Sequence, residues 1–294
     1  MADLEKHASI ERGRLPYPWK GMLDPCEAAK RVSIDRFEPS PDLMPFLDRI
    51  WIMKWDLRGR RAEEQRFLPS PNSHLVIGLG RATLVGVKRK VHSSVFESAG
   101  RAIGLRFRAG GLRPFLTGPV ARLTDREVSA SVLTCVADET VDTTISAVEC
   151  DDAMINCAEA LLRARLPKSD PMVDLACSAV DLARRKDGPL RAEELADQLG
   201  VSLRSLQRLF LEYVGVSPKW VIRRYRLQEA AWHLAQGADD PLSHLAADLG
   251  YFDQAHLARD FAAVLGCSPS DYRERQQAWR TGSDSAGGIV EGLS

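Results

Sequence analysis

The sequence predicts an α+β chain in two unlike parts, a β-rich N-terminal half followed by an all-α C-terminal part. Three observations carry this. Residues 1–130 hold short β-branched and aromatic runs cut by Gly, Pro and Asn, everything after Met172 has helical spacing, and the helical part states one pattern twice. Leu195-Ala196-Asp197-Gln198-Leu199-Gly200, Arg208-Leu209-Phe210 and Gly215-Val216-Ser217-Pro218 return as Leu245-Ala246-Ala247-Asp248-Leu249-Gly250, Arg259-Asp260-Phe261 and Gly266-Cys267-Ser268-Pro269. The offset is 50 residues at the Leu-Ala end and 51 at the later positions, so one residue is inserted at the intervening turn. A turn glycine, an apolar frame and an Arg kept at fixed spacing mark a duplicated structural unit.

Taken in order, strands are predicted at 50–55, 74–79, 82–87 and 102–107, separated by turn-forming clusters. Evenly spaced short strands suggest a small barrel or sandwich over 1–135. After Pro114 and Pro119 the character changes. Met154, Cys157, Ala158, Leu161 and Leu162 have helical spacing, and Pro167 and Pro171 stop that helix, so 136–170 is predicted as a helical linker. The all-α domain then covers 171–280. Val173, Leu175, Ala176, Ala179, Val180, Leu182 and Ala183 form one apolar stripe that ends at Asp187-Gly188-Pro189. The first repeat unit spans about 190–214, with Gly200 at its turn and Ser202 placed to cap a helix over 203–213. Ser217 caps the next helix, with Pro218 at its first position. That helix runs to about Gln236, or roughly 27 Å at 1.5 Å per residue. The second unit spans about 241–266, opened by Pro241, with Asp253 capping its second helix. Ser268-Pro269 starts a closing helix to about Trp279, and the Gly/Ser-rich stretch 281–294 is predicted to be disordered.

Composition bounds the function. At 294 residues, 45% hydrophobic and 27% charged, the chain is ordinary globular material with room for two cores. No run approaches the roughly 18 apolar residues of a membrane span, and the N-terminus lacks a signal-peptide pattern, so a cytoplasmic location is expected. The six cysteines show no CxxC spacing, which argues against a zinc site or a disulfide framework. Net charge is zero but unevenly spread: residues 1–130 carry +8, 131–187 carry −5, 188–228 carry +3 and 229–280 carry −4. The two repeat units are therefore electrostatically unequal. The basic clusters Arg58, Arg60, Arg61 and Lys88, Arg89, Lys90 read as solvated turns, with an anionic effector or the acidic stretch 138–159 as the alternative partner.

The repeated unit has the layout of a helix-turn-helix, whose second helix presents its N-terminal residues to base edges in the major groove. In the first unit Leu206, Leu209 and Phe210 belong to a core face, and Arg204, Gln207 and Arg208 to the opposite one. Arg matches guanine and Gln matches adenine in bidentate hydrogen bonding. A solvated charged face is the bland account of this trio, and the capped turn with its duplicate favours base readout. In the second unit Gln254, Ala255, Ala258 and Arg259 face outward, with fewer hydrogen-bonding groups. Arg259 has two accounts, a DNA contact or an ion pair with an acid such as Asp248. The long helix is a spacer that sets the two reading helices about one duplex turn (~34 Å) apart. Its Lys219, Arg223, Arg224 and Arg226 are expected at phosphates.

At these residues the chain resembles the AraC/XylS family of bacterial transcription regulators. The second unit carries the family signature over Ala246, Gly250-Tyr251, Asp253, His256-Leu257, Arg259, Phe261, Gly266, Ser268-Pro269 and Tyr272-Arg273, and the resemblance covers about 190–275. It implies base contacts from Arg204, Gln207, Arg208, Gln254, Ala255, Ala258 and Arg259. One departure is Ala262, where the family usually has Lys or Arg. More loosely, Leu68 to Val76, Gly104 to Gly111 and Pro114 to Arg126 are similar to the sensory half of an AraC-like subgroup, which implies a cupin-like barrel for effector binding or dimerisation. The implied partners are double-stranded DNA, a small-molecule effector, RNA polymerase and a second copy of the chain, with no cofactor, metal or catalysis. The competing class is a cupin-like enzyme or metal-dependent protein with a helical accessory domain. His7, His74 and His92 include no HxH pair, and no phosphate-cradling glycine motif is present.

Overall fold

In the computed structural model, which describes residues 32–235 and 241–283, the N-terminal half folds into eight strands. They are β1 (Val32–Phe37), β2 (Leu47–Asp56), β3 (Glu63–Phe67), β4 (His74–Gly78), β5 (Arg81–Val85), β6 (His92–Phe96), β7 (Ala99–Phe107) and β8 (Glu127–Ser129). The four predicted runs correspond to β2, β4, β5 and β7. Of the other four, β8 is three residues long and β3 and β6 are strongly polar, as in Glu63-Glu64-Gln65-Arg66 and His92-Ser93-Ser94, so these lack the apolar weight by which a strand is read, while β1 carries the alternation of Val32 and Ile34. Six strands form an antiparallel sheet in the order β1-β2-β7-β4-β5-β8, while β3 and β6 leave it and pair with each other.

Alternation assigns each residue of this sheet to one of two faces. Ile50, Ile52, Leu75, Ile77, Leu84, Ile103, Leu105 and Phe107 are buried on one face. The segment expected to be a linker supplies the cover: α1 (Ser131–Thr134), α2 (Asp138–Ser146) and α3 (Asp151–Arg163) bring Leu133, Val141, Ile145, Met154, Ile155, Ala158 and Leu162 into the same core. Their apolar stripe needs a partner, and the open sheet face is the one it meets. Glu159, fully buried on α3, is held by the Ser40 amide at 2.8 Å, the Ser40 hydroxyl at 2.6 Å and Arg163 at 3.1 Å. On the opposite face Val32, Ile34, Met53, Trp55 and Ala102 pack with Leu57 and Phe96. Register there pairs Trp51 with Gly104 and Trp55 with Gly100. A Cβ on Gly104 would stand 2.1 Å from the Trp51 ring and one on Gly100 would stand 2.4 Å from Trp55, so each glycine is the space its tryptophan occupies.

The helical part follows as α4 (Pro171–Arg184), α5 (Ala192–Gln198), α6 (Leu203–Leu209), α7 (Pro218–Ala235), α8 (Leu242–Asp248), α9 (Gln254–Leu265) and α10 (Pro269–Ser283). Between α6 and α7 the chain makes a π-helical turn, Phe210–Val214, closed by Gly215 at φ +96°. The spacer α7 has the predicted 18 residues. The duplication in sequence becomes a duplication in packing: Leu195, Ala196, Leu206 and Phe210 lie in one core, and Leu245, Ala246, Leu257 and Phe261 in another. α7 feeds both, giving Val221 and Ile222 to the first and Leu227, Ala230, Ala231 and Leu234 to the second. The predicted disordered stretch 281–294 lies outside the described residues from 284 onward, and α10 extends through Ser283.

Candidate nucleic-acid interface

The second helix of each repeat unit, α6 and α9, starts from the same backbone device. Val201 N donates to Ala196 O at 3.0 Å, and Tyr251 N donates to Ala246 O at 2.8 Å. Gly200 and Gly250 make this turn with φ of +66° and +72°, a conformation that costs a side chain-bearing residue strain. The caps follow as the sequence predicts. The Ser202 hydroxyl accepts the Ser205 amide at 3.1 Å, and the Asp253 carboxylate accepts the His256 amide at 2.6 Å. Each satisfies an amide that the first helical turn leaves without a carbonyl.

Burial of Leu206 and Leu209 turns Arg204, Gln207 and Arg208 to the exposed side of α6. On α9, Leu257, Phe261 and Leu265 are buried, while Gln254, Ala255 and Arg259 are exposed. Ala258 is half-buried beside that core, so it presents less surface than its spacing suggested. Arg259 runs along its own helix, its Nε donating to Ala255 O at 3.3 Å, and does not take Asp248 as partner.

The spacer corrects the phosphate assignment. Arg223 forms an ion pair with Asp260 of α9, and Asp260 also lies 3.8 Å from His256. Arg224 points to the N-terminal half, where its Nε donates to Pro69 O at 2.6 Å, and its Nη1 is held by Gln228. Burial brings its pKa down to about 10. Arg226 is buried and donates to Gly188 O at 2.6 Å, Pro189 O at 3.1 Å and Lys186 O at 3.3 Å, clipping the α4–α5 connection to the spacer. Arg224 and Arg226 are thus turned into the protein, whereas Arg223 pairs with Asp260 and keeps a partly exposed side chain. Of the four basic residues expected at phosphates, Lys219 alone remains exposed. The Asp260 partnership also neutralises an acid of α9, and it fixes that helix against the spacer.

The N-terminal half grips both units at the far ends of their reading helices. Arg113 Nε meets Glu212 Oε1 at 2.6 Å, with its guanidinium 6.0 Å from the centre of the Tyr213 ring. Tyr213 in turn donates to Asp170 at 2.8 Å, and Thr124 donates to Gly215 O. Cys177 Sγ lies 3.1 Å from Ala109 O. At the second unit, Val91 N donates to Val264 O at 3.3 Å, and Leu68 and Val91 pack on its core. These partners are far apart in sequence, so no local pattern announced them. The basic cluster at 88–90 stays within its own half, with Lys88 on Glu127 at 2.9 Å and Arg89 on Asp125 at 2.6 Å.

On the sheet face away from α2 and α3, Trp51 Nε1 donates to His74 Nδ1 at 3.3 Å, and Arg49 and Arg106 share Asp48 at 2.9 and 3.4 Å. Burial, then the charges of Arg106, His92 and Arg49, push the His74 pKa down to about 3, which keeps it neutral. Among the described residues no group of three or more His, Cys, Asp or Glu side chains is placed to hold a metal ion, and no helix is long and apolar enough to cross a membrane.

Comparison with known proteins matches residues 195–275 to a family described as a helix-turn-helix domain, and residues 35–129 to a domain of unknown function (DUF6597). The HTH-type transcriptional activator RhaS of Escherichia fergusonii is 34% identical over 86 residues, covering 29% of this chain and 31% of that protein. The putative HTH-type transcriptional regulator YkgA of Escherichia coli is 34% identical over 87 residues, covering 30% and 36%. The chain thus spans about a third of the length of these relatives. Among solved structures, an AraC-type transcriptional regulator from Chromobacterium violaceum is 26% identical over 33% of this chain and 88% of its own, with a TM-score of 0.31. ToxT from Vibrio cholerae is 10% identical over 83% and 98%, with a TM-score of 0.35.

Proposed function

Residues 195–275 are a helix-turn-helix domain of the AraC type, and from this we propose that the whole chain is a sequence-specific DNA-binding transcription regulator, not an enzyme, working in the cytoplasm. Double-stranded DNA is its partner, with α6 and α9 entering successive major grooves from one side of the duplex. The observation that carries this is the pair of capped helices whose N-terminal faces stay exposed while their far ends are held by the rest of the chain. Arg204, Gln207 and Arg208 supply direct readout in the first half-site. Gln254, Ala255 and Arg259 face the second, with Ala258 at its edge. Few cations remain for phosphates, so a second copy of the chain would raise affinity by linking two modest sites. The N-terminal half modulates binding through a small molecule or through that pairing, and RNA polymerase is the partner that turns binding into regulation.

Selection of sequences bound by the full chain from a random duplex pool tests this. The expected product is a bipartite site with half-sites about 10 base pairs apart, the stronger preference lying under α6. No enriched sequence, at a salt concentration low enough to detect general DNA binding, would overturn it.

A further inference from the structure

The residue inserted between the two units is identifiable in the structure. In the first unit the chain runs from Gly200 through Val201 to the capping Ser202, and in the second from Gly250 through Tyr251 and Phe252 to the capping Asp253. Tyr251 takes the place of Val201, since both donate to the equivalent carbonyl of the preceding helix. Phe252 is the extra residue. It is 92% exposed, whereas the other exposed large apolar side chains among the described residues reach at most 60%. A fully hydrated phenyl ring forgoes the burial that stabilises nearly every other Phe, and although singly exposed apolar side chains are common, this one stands at the end of the helix that would enter a groove.

Its place names the surface. Phe252 stands one residue ahead of the cap of α9, at the end of the helix that enters the groove. Apolar side chains lie among its outward neighbours: Ala255 is exposed beside Gln254, Ala258 is half-buried beside Arg259, and further along the helix Ala262 is exposed where the family usually carries a cation. Asp260, the nearest acid on this helix, is turned away into its ion pair with Arg223. The second unit therefore offers DNA apolar surface alongside Gln254 and Arg259, where the first offers Arg204, Gln207 and Arg208. In the major groove the apolar feature of a base pair is the C5-methyl group of thymine.

We propose that Phe252, with Ala255 beside it, reads thymine methyl groups in the second half-site, so that the second unit adds apolar contact to the hydrogen bonding of Gln254 and Arg259, while α6 reads by hydrogen bonding alone. This rests on the DNA-binding assignment above. It accounts for how a unit with a net charge of −4 over 229–280 holds its half-site.

The test replaces thymine by deoxyuridine, one position at a time, in the selected operator, which removes only the methyl group, and reads affinity by fluorescence anisotropy. Wild-type protein is expected to lose about fourfold at one or two positions of the second half-site, the worth of one buried methyl. Phe252→Ser is expected to bind thymine and uracil operators equally, while Arg208→Ala, although weaker overall, still distinguishes them. An exposed ring contributes nothing to the core, so the Phe252→Ser variant should melt with wild type. Full indifference of wild type to uracil, with Arg208→Ala still weakened, overturns the inference and leaves the DNA assignment standing. So does a Phe252→Ser loss of equal size on both operators, which would place the ring on the sugar-phosphate backbone. A loss of transcription with no loss of DNA affinity also overturns it, because Phe252 would then face a protein. If selection enriches no sequence, the DNA assignment itself fails, and the inference with it.

Discussion

Arg208 and Arg223 carry the same charge and are 15 positions apart, yet they are assigned opposite tasks by what stands next to them. Arg208 is exposed and its guanidinium has the fork geometry for guanine, so Arg208→Ala is expected to cost about 1–3 kcal/mol of DNA binding and to relax preference at one base pair. Arg223 is engaged with a largely buried Asp260, so Arg223→Ala is expected to lower the melting temperature through a loss of about 1 kcal/mol, with the salt dependence of DNA binding unchanged. A shallower salt dependence with unchanged melting would return Arg223 to the phosphates. His74 gives a pH prediction at the same scale. Its folded pKa of about 3 lies below the ordinary imidazole value of 6.5, so the unfolded chain binds the extra proton between these values. The His74 contribution is whole above pH 6.5 and is lost as pH falls towards 3. Urea midpoints measured across that window should fall less steeply for His74→Gln than for wild type.

At the scale of elements, the caps and turn glycines were legible because each acts within three or four residues of itself. Ser202, Ser217, Asp253 and Ser268 all accept the amide three positions on, at 3.1, 3.2, 2.6 and 3.1 Å. Ser202→Ala and Asp253→Ala are each expected to cost about 1 kcal/mol of stability, measurable as a shift in urea midpoint. If either is neutral, the helix start is held by tertiary packing alone. The elements that were not legible fail for an opposite reason. β3 and β6 pair only with each other, and their polar faces look like loops until the partner strand is present. Nor does any local pattern state that α2 and α3 cover the sheet, since an apolar stripe specifies burial and not the surface that provides it.

Across the whole molecule, the two halves meet at both units through contacts between residues as much as 173 positions apart, among them Arg224 with Pro69 and Val91 with Val264. Arg113 with Glu212 and Thr124 with Gly215 hold the π-helical turn that ends the first reading helix. Arg113→Ala is expected to raise amide exchange over 210–216 by an amount equivalent to about 1 kcal/mol and to alter discrimination in the first half-site more than in the second. Unchanged exchange there would mean that the turn is rigid without its partner. What the sequence by itself determined is the repeat, its caps and turns, the β-then-α order and the outward faces of both reading helices, because periodicity and capping are local. The tertiary structure alone decided which arginines are exposed and which are paired or buried, what the 136–170 segment covers, and that the inserted turn residue is a hydrated aromatic ring. Charge pairing and solvent exposure depend on residues brought together across the chain, and spacing along it carries no record of them.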